Sequence, residues 1–161
     1  MVNKIIVWSF VFCIFFYNSC APDGDRSSAP ILVLATCANF GMYTGEILKA
    51  EGFNEFTIDS LTDNKITPAY LARFDIVILS ETTVTKEQNY VLSDYVKNGG
   101  NLIAFRPDKE LSDLFGLIQT NTSINEGYIK IDTLKDTGRG LIGETMQFHG
   151  SSDIYKLNGG E

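Results

Sequence analysis

The sequence predicts an α/β domain, a three-layer sandwich with helices on both sides of a mostly parallel sheet. Three observations predict it. Largely apolar runs recur at 31–35 (ILVLA) and 74–79 (FDIVIL, with Asp75 its one polar residue), and a strand buried on both faces of a parallel sheet has little polar side to show. Segments with helical spacing lie between the runs, so strand and helix alternate along the chain. A length of 161 residues suits about one domain with one core.

Each element follows in order. Residues 31–35 form the first strand. The helix at 41–51 is expected to bury Ile47, Leu48 and Ala50, and Gly52 ends it where a left-handed residue is needed. Residues 53–58 form a second strand, more polar and so nearer a sheet edge. Thr67 caps a short helix, and Pro68 in its first turn lacks only an N–H that would have no helical partner. Tyr70 and Leu71 of that helix face the sheet, and residues 74–79 form the third strand. Thr85 and Gln88 have capping-box spacing and open a helix with Tyr90, Val91, Tyr95 and Val96 on its inner face. Gly99 and Gly100 close it, residues 101–105 form the fourth strand, and Pro107 with Asp108 begins a short helix reaching Phe115. Right-handed crossovers among such strands put helices on both faces. Val33, Leu34, Ile76, Ile78, Leu102 and Ile103 are therefore expected to be inaccessible.

Beyond Gly116 the texture changes. Polar residues dominate to Gly127, residues 128–131 (YIKI) alternate like a half-exposed strand, and glycines are frequent from Thr137 onward. The body is read as 31–118 and the remainder, 119–161, as a polar, Gly-rich tail that leaves the sheet unfinished. The tail is read as the unfinished end of the same domain, with a chain that is a fragment of a longer protein as a further possibility.

The chain opens differently. After Lys4 an apolar run extends over 5–17, followed by Asn18, Ser19 and Cys20. A membrane-spanning helix needs about 20 apolar residues, and this run is too short. A basic start, a short apolar stretch and a small residue before the cut are the layout of a secretory signal. The Ser19–Cys20 junction resembles a lipobox, with Tyr17 where the usual pattern has an aliphatic residue. Residues 1–19 are accordingly read as a lipoprotein signal peptide, Cys20 as the lipidation site, and 20–30, small and polar with Pro22 and Pro30, as a tether. The resulting localisation is the bacterial cell envelope, with the protein held to a membrane by its N-terminal lipid. The alternative is an ordinary cut near Ala21 and a secreted product. With Cys13 lost and Cys20 acylated, only Cys37 remains of three cysteines, so no internal disulfide is expected.

Charge narrows the partners. The formal net charge is −7, and loss of 1–19, whose one charge is Lys4, makes it one unit more negative. An acidic domain repels the phosphate backbone, so nucleic acid is set aside as a partner.

The stretches ILVLATCANFGMYTGEILKAEGF, FDIVILSE and YVKNGGNLIAFRPDKELSDLFGL, with MQFHGSSDIYKL further on, resemble the glutamine-amidotransferase-like fold. This is the flavodoxin-related group that includes the ThuA-like proteins of sugar-utilisation clusters. In amidotransferases of this fold the strand after the Gly-Gly turn ends in a strained nucleophile elbow of the type G-x-C-x-G, placed where backbone N–H groups hold an oxyanion. Here that stretch is Ala104-Phe105-Arg106-Pro107-Asp108. It has no cysteine, and Pro107 removes a backbone donor. Glutamine hydrolysis by the family mechanism is not expected. Cys37 follows the first strand, has no basic neighbour to lower its pKa, and reads as a small core residue.

Ligands of open parallel sheets bind beyond the carboxyl ends of the strands. Cys37, Asn39 and Gly41 meet there from the first loop, Glu81 from the third, and Arg106 and Asp108 from the fourth. His149 joins them if the tail folds back. Asn39 is a ligand-binding candidate through an anion at a helix start, or a plain turn residue. Glu81 is a candidate general base or sugar-hydroxyl acceptor, or a solvated carboxylate. Arg106 binds a ligand carboxylate through its planar fork, or pairs with Asp108 or Glu110. Asp108 caps the helix it precedes, or serves beside Glu81 as a second carboxylate for catalysis. His149, with Asp153 four residues on, is either an acid–base pair or a structural histidine. One histidine makes a poor zinc site, so neither metal nor cofactor is expected, and the oligomeric state is not legible. The sequence thus supports a non-catalytic binding or accessory module with a saccharide or small-molecule ligand. Its rival is a saccharide-acting hydrolase or isomerase using Glu81, Asp108 and His149.

Overall fold

Strands without a polar face need cover on both sides, and the fold supplies it unevenly. The structure, a computed structural model, describes residues 29–36 and 41–160. In it β1 (Ile31–Ala35), β2 (Phe56–Ser60), β3 (Ile76–Leu79) and β4 (Asn101–Ala104) form one parallel sheet in the order β2-β1-β3-β4. Val33 stands between Ile58 and Ile78, and Ile78 beside Ile103, so these side chains share one face. Leu32, Leu34, Val77 and Leu79 share the other.

That second face carries the main core. Leu71 of α2 (Pro68–Leu71), Leu92 and Tyr95 of α3 (Lys86–Lys97), and Leu111 of the 3-10 helix Lys109–Phe115 pack on Leu32, Leu34, Val77 and Leu79. Each such leucine contributes about 1.5–3 kcal/mol by leaving water. The first face is covered by α1 (Gly41–Ala50). The chain moves from β1 to β2 in one direction and back past β1 to β3 in the other, so crossovers of one hand put α1 and α2 on opposite faces.

Local chemistry starts the helices where the sequence predicts. Thr67 Oγ1 accepts the Tyr70 N–H at 3.2 Å. Thr85 and Gln88 form a full capping box, with the Gln88 N–H on Thr85 Oγ1 at 3.2 Å and the Thr85 N–H on Gln88 Oε1 at 2.8 Å. Two reciprocal bonds satisfy donors that the first turn leaves without helical partners.

The inner faces differ from expectation at several residues. In α1 the buried stripe is Gly41, Thr44 and Gly45, whereas Ile47 and Ala50 face out. The helix rests directly on the sheet: a Cβ at Gly41 would overlap the Ala35 side chain, and one at Gly45 would lie 2.7 Å from Ile58 Cδ1. In α3 the buried residues are Leu92 and Tyr95, and Tyr90 is 71% exposed. Val33, Leu34 and Ile78 are buried as expected, but Ile76 and Leu102 are only half-buried and Ile103 is 50% exposed. β4 is an edge strand, and α1 covers the β1 and β2 side of its face, which leaves Ile103 open.

The tail is more ordered than its composition suggests. β5 (Leu117–Asn125) pairs antiparallel with β8 (Ser151–Leu157), and β6 (Tyr128–Ile129) pairs with β7 (Met146–Gln147). Neither ribbon joins the parallel sheet. The longer ribbon begins at Leu117, just inside the segment read as body. Gly116, at φ 61, turns the chain into it, and its carbonyl accepts the Asn158 N–H at 2.7 Å and the Gly160 N–H at 3.2 Å. Among the described residues no helix is long and apolar enough to cross a membrane.

Candidate functional site

The sheet order reverses between β1 and β3, and the crevice beyond the carboxyl ends near such a point is the usual ligand position. There β3 leads through buried Ser80 into Glu81, Thr82 and Thr83. Beside it β4 leads through Phe105, whose N–H extends the ladder to Leu79 O at 2.9 Å, into Arg106. Arg106 has φ 44, a left-handed conformation that non-glycine residues rarely adopt. Strain of this kind persists only where surrounding contacts over-determine it. Asp108 then caps the 3-10 helix, its Oδ1 accepting the Glu110 N–H at 2.9 Å.

The contacts that hold Arg106 are charged. Its Nε donates to Asp153 Oδ2 at 2.7 Å and its Nη2 to Asp153 Oδ1 at 3.0 Å, a two-pronged pairing, while Nη1 donates to Glu81 Oε1 at 2.8 Å. Asp153 belongs to β8, so the pair joins the sheet to the ribbon. Tyr155 adds a second tie, its hydroxyl donating to Pro107 O at 3.2 Å. Residues 153 and 155 lie on one side of a strand, so both reach the same turn. Hydrogen bonding to Arg106 holds the Asp153 carboxyl below its ordinary pKa, against an opposing push from burial. Asp153 in turn raises the Arg106 guanidinium above its ordinary value, with Glu81 adding to the effect. Burial raises the Tyr155 phenol.

Between these groups lies a cleft of about 430 Å³, lined by Glu81, Thr82, Thr83, Arg106, Gln119 and Asp153, with the turn 107–109 on its rim. A cleft of similar size, about 450 Å³, lies at the amino ends of β3 and β4 against Phe74, Tyr95 and Gly100. The first is the better candidate, because it gathers side chains of both charge signs at the sheet's carboxyl edge, whereas Asp75 is the only charged residue lining the second.

The other candidates separate. His149 Nδ1 lies 2.7 Å from Glu126 Oε2, in the turn between β7 and β8, and Glu126 Oε1 accepts the Gly150 N–H at 2.7 Å. His149 is not among the residues lining the cleft and does not pair with Asp153. The spacing of four residues brings side chains together on a helix, but on extended chain it spans about 13 Å, and Asp153 is already engaged by Arg106. Arg106 likewise pairs with neither Asp108 nor Glu110 in the structure. Cys20, Cys37 and Asn39 lie outside the described residues. The residues that sequence reasoning missed are Asp153 as the partner of Arg106, and Gln119, Thr82 and Thr83 as lining groups. The alternation in SSDIYKL was the available signal, since it puts Asp153 and Tyr155 on one side.

Chemically, the cleft offers hydrogen-bond donors and acceptors from both charge signs and two threonine hydroxyls. Thr82 Oγ1 donates to Thr83 O at 3.2 Å, and among the described residues no histidine or cysteine lines the cleft. Comparison of the chain with known protein families, with characterised proteins and with solved structures gives no match.

Proposed function

We propose that this chain is a non-catalytic, amidotransferase-like binding module held to a membrane of the bacterial envelope by lipid on Cys20, with its ligand in the cleft between the sheet and the β5–β8 ribbon. Arg106 carries the reading. It occupies the turn after β4, where amidotransferases of this fold hold their nucleophile, and its guanidinium is engaged by Glu81 and Asp153. Such a site offers recognition, and among the described residues no thiol lines it. The strand order β2-β1-β3-β4 supports the fold assignment, because it matches the first four strands of the flavodoxin-like order. The saccharide association comes from the ThuA-like resemblance. A hydrolase built on Glu81, Asp108 and His149 has less support, since Asp108 acts as a helix cap and His149 pairs with Glu126.

Three measurements test the reading. The full chain expressed in a bacterium should incorporate labelled palmitate and partition into detergent, whereas Cys20→Ala should do neither; unlabelled, freely soluble wild type removes the anchor. Purified protein given glutamine should release no ammonia, and an activity abolished by Cys37→Ser removes the non-catalytic reading. Arg106→Ala should weaken any ligand found in a glycan panel by about tenfold or more, equivalent to about 1.4 kcal/mol.

A further inference from the structure

The state of the Arg106 fork decides which ligands the cleft can accept. An arginine binds carboxylate or phosphate most strongly when the ligand takes two parallel N–H groups. Here the Nε and Nη2 pair is already taken by Asp153 at 2.7 and 3.0 Å, and Nη1 gives one N–H to Glu81 at 2.8 Å. An anionic ligand would have to displace Asp153 and leave its carboxylate beside Glu81 without a cation. The other cation on the rim, Lys109, is exposed and flanked in sequence by Asp108 and Glu110. The cleft is therefore an unfavourable place for a further negative charge.

It is a favourable place for hydroxyls. A guanidinium carries five N–H donors, so Arg106 keeps donors beyond the three it spends. Glu81 commits Oε1 to Arg106, and its side chain is half exposed. A leftover N–H thus sits next to a carboxylate edge, and neighbouring hydroxyls of a polyol can accept from the first and donate to the second. Thr82, Thr83 and Gln119 extend the same neutral, two-way hydrogen bonding around the cleft.

Resting on the binding reading above, we propose that the cleft selects neutral ligands bearing adjacent hydroxyls and rejects anionic ones. Arg106 and Glu81 make the contact, and Asp153 acts as a positioning residue that closes the fork. The test is a chemical-shift titration of the isotope-labelled full chain in detergent with three probes: neutral trisaccharides of glucose, the acidic trisaccharide of galacturonic acid, and inorganic phosphate. A neutral trisaccharide should bind at least about tenfold more tightly than either anion. Glu81→Gln, a change at a half-exposed side chain, should weaken that binding. Asp153→Asn should open the fork and confer binding of phosphate and of the acidic sugar, a gain that a merely structural role would not produce. Wild type that binds an anion as tightly as the neutral sugars overturns the selectivity while leaving the cleft as a binding site. Failure of all three probes overturns this proposal and the binding reading together.

Discussion

Arg106 shows how one residue ties chemistry to architecture. Asp153 ionises more readily in the folded chain than in the unfolded one, because Arg106 stabilises its charged form. The stability this adds is present above the ordinary carboxylate range and is lost as pH falls through the lowered folded value. Arg106 is 40% exposed at its side chain, so solvent screening keeps the contribution to about 1 kcal/mol. Urea melts should find Asp153→Asn less stable than wild type by about that amount near pH 7, with the gap closing in acid as pH falls through the lowered Asp153 value. A gap unchanged at acid pH would mean that the substitution acts through packing and not through charge. Gly100 gives a sharper steric case. A Cβ there would overlap the ring of Tyr95, which is buried and whose hydroxyl accepts the Asn101 N–H at 3.2 Å. Gly100→Ala should cost about 1–3 kcal/mol, as overpacking usually does. Caps such as Thr67, Thr85 with Gln88, and Asp108 were legible because their partners lie two or three residues away. The pairing of Arg106 with Asp153 was not, since it spans 47 residues and depends on where the ribbon lands.

Between elements, position in the sheet outweighs composition. Ile78 and Ile103 are register partners on neighbouring strands, yet one is 8% exposed and the other 50%. Ile78→Ala should cost about 2–5 kcal/mol, as a cavity in a packed site does, while Ile103→Ala should cost under about 1.5 kcal/mol, since little cavity forms at an open position. Denaturation midpoints with unchanged slopes would establish the difference, and equal losses would mean that Ile103 is covered in solution. The runs FDIVIL and NLIAF look alike as sequence. Only the strand order tells that the second is an edge, and order depends on crossovers that no local pattern records. α1 teaches the same lesson in reverse. Its apolar residues suggested an inner face, but the face that meets the sheet is made of Gly41, Thr44 and Gly45, because close approach to Ala35 and Ile58 admits only small side chains.

At the scale of the whole molecule the chain divides into a parallel sheet with a deep core and antiparallel ribbons whose side chains are mostly exposed. Alternation of strand and helix made the sheet legible through β4. The ribbons were not legible, because short, polar, two-stranded pairs leave little periodic signal beyond the alternation at 128–131. Amides of β1 and β3 should be the slowest to exchange, and those of β5 and β8 should exchange faster, since few buried apolar contacts guard them. Equal protection would mean that ribbon and sheet open as one unit. The cleft between them is where the account is most exposed to test. In a chemical-shift map of the labelled protein titrated with small polar ligands, the perturbed amides should centre on Glu81, Thr82, Thr83, Arg106 and Gln119 and should vanish in Arg106→Ala. Perturbations centred instead on Phe74, Tyr95 and Gly100, at the amino ends of the strands, would contradict it.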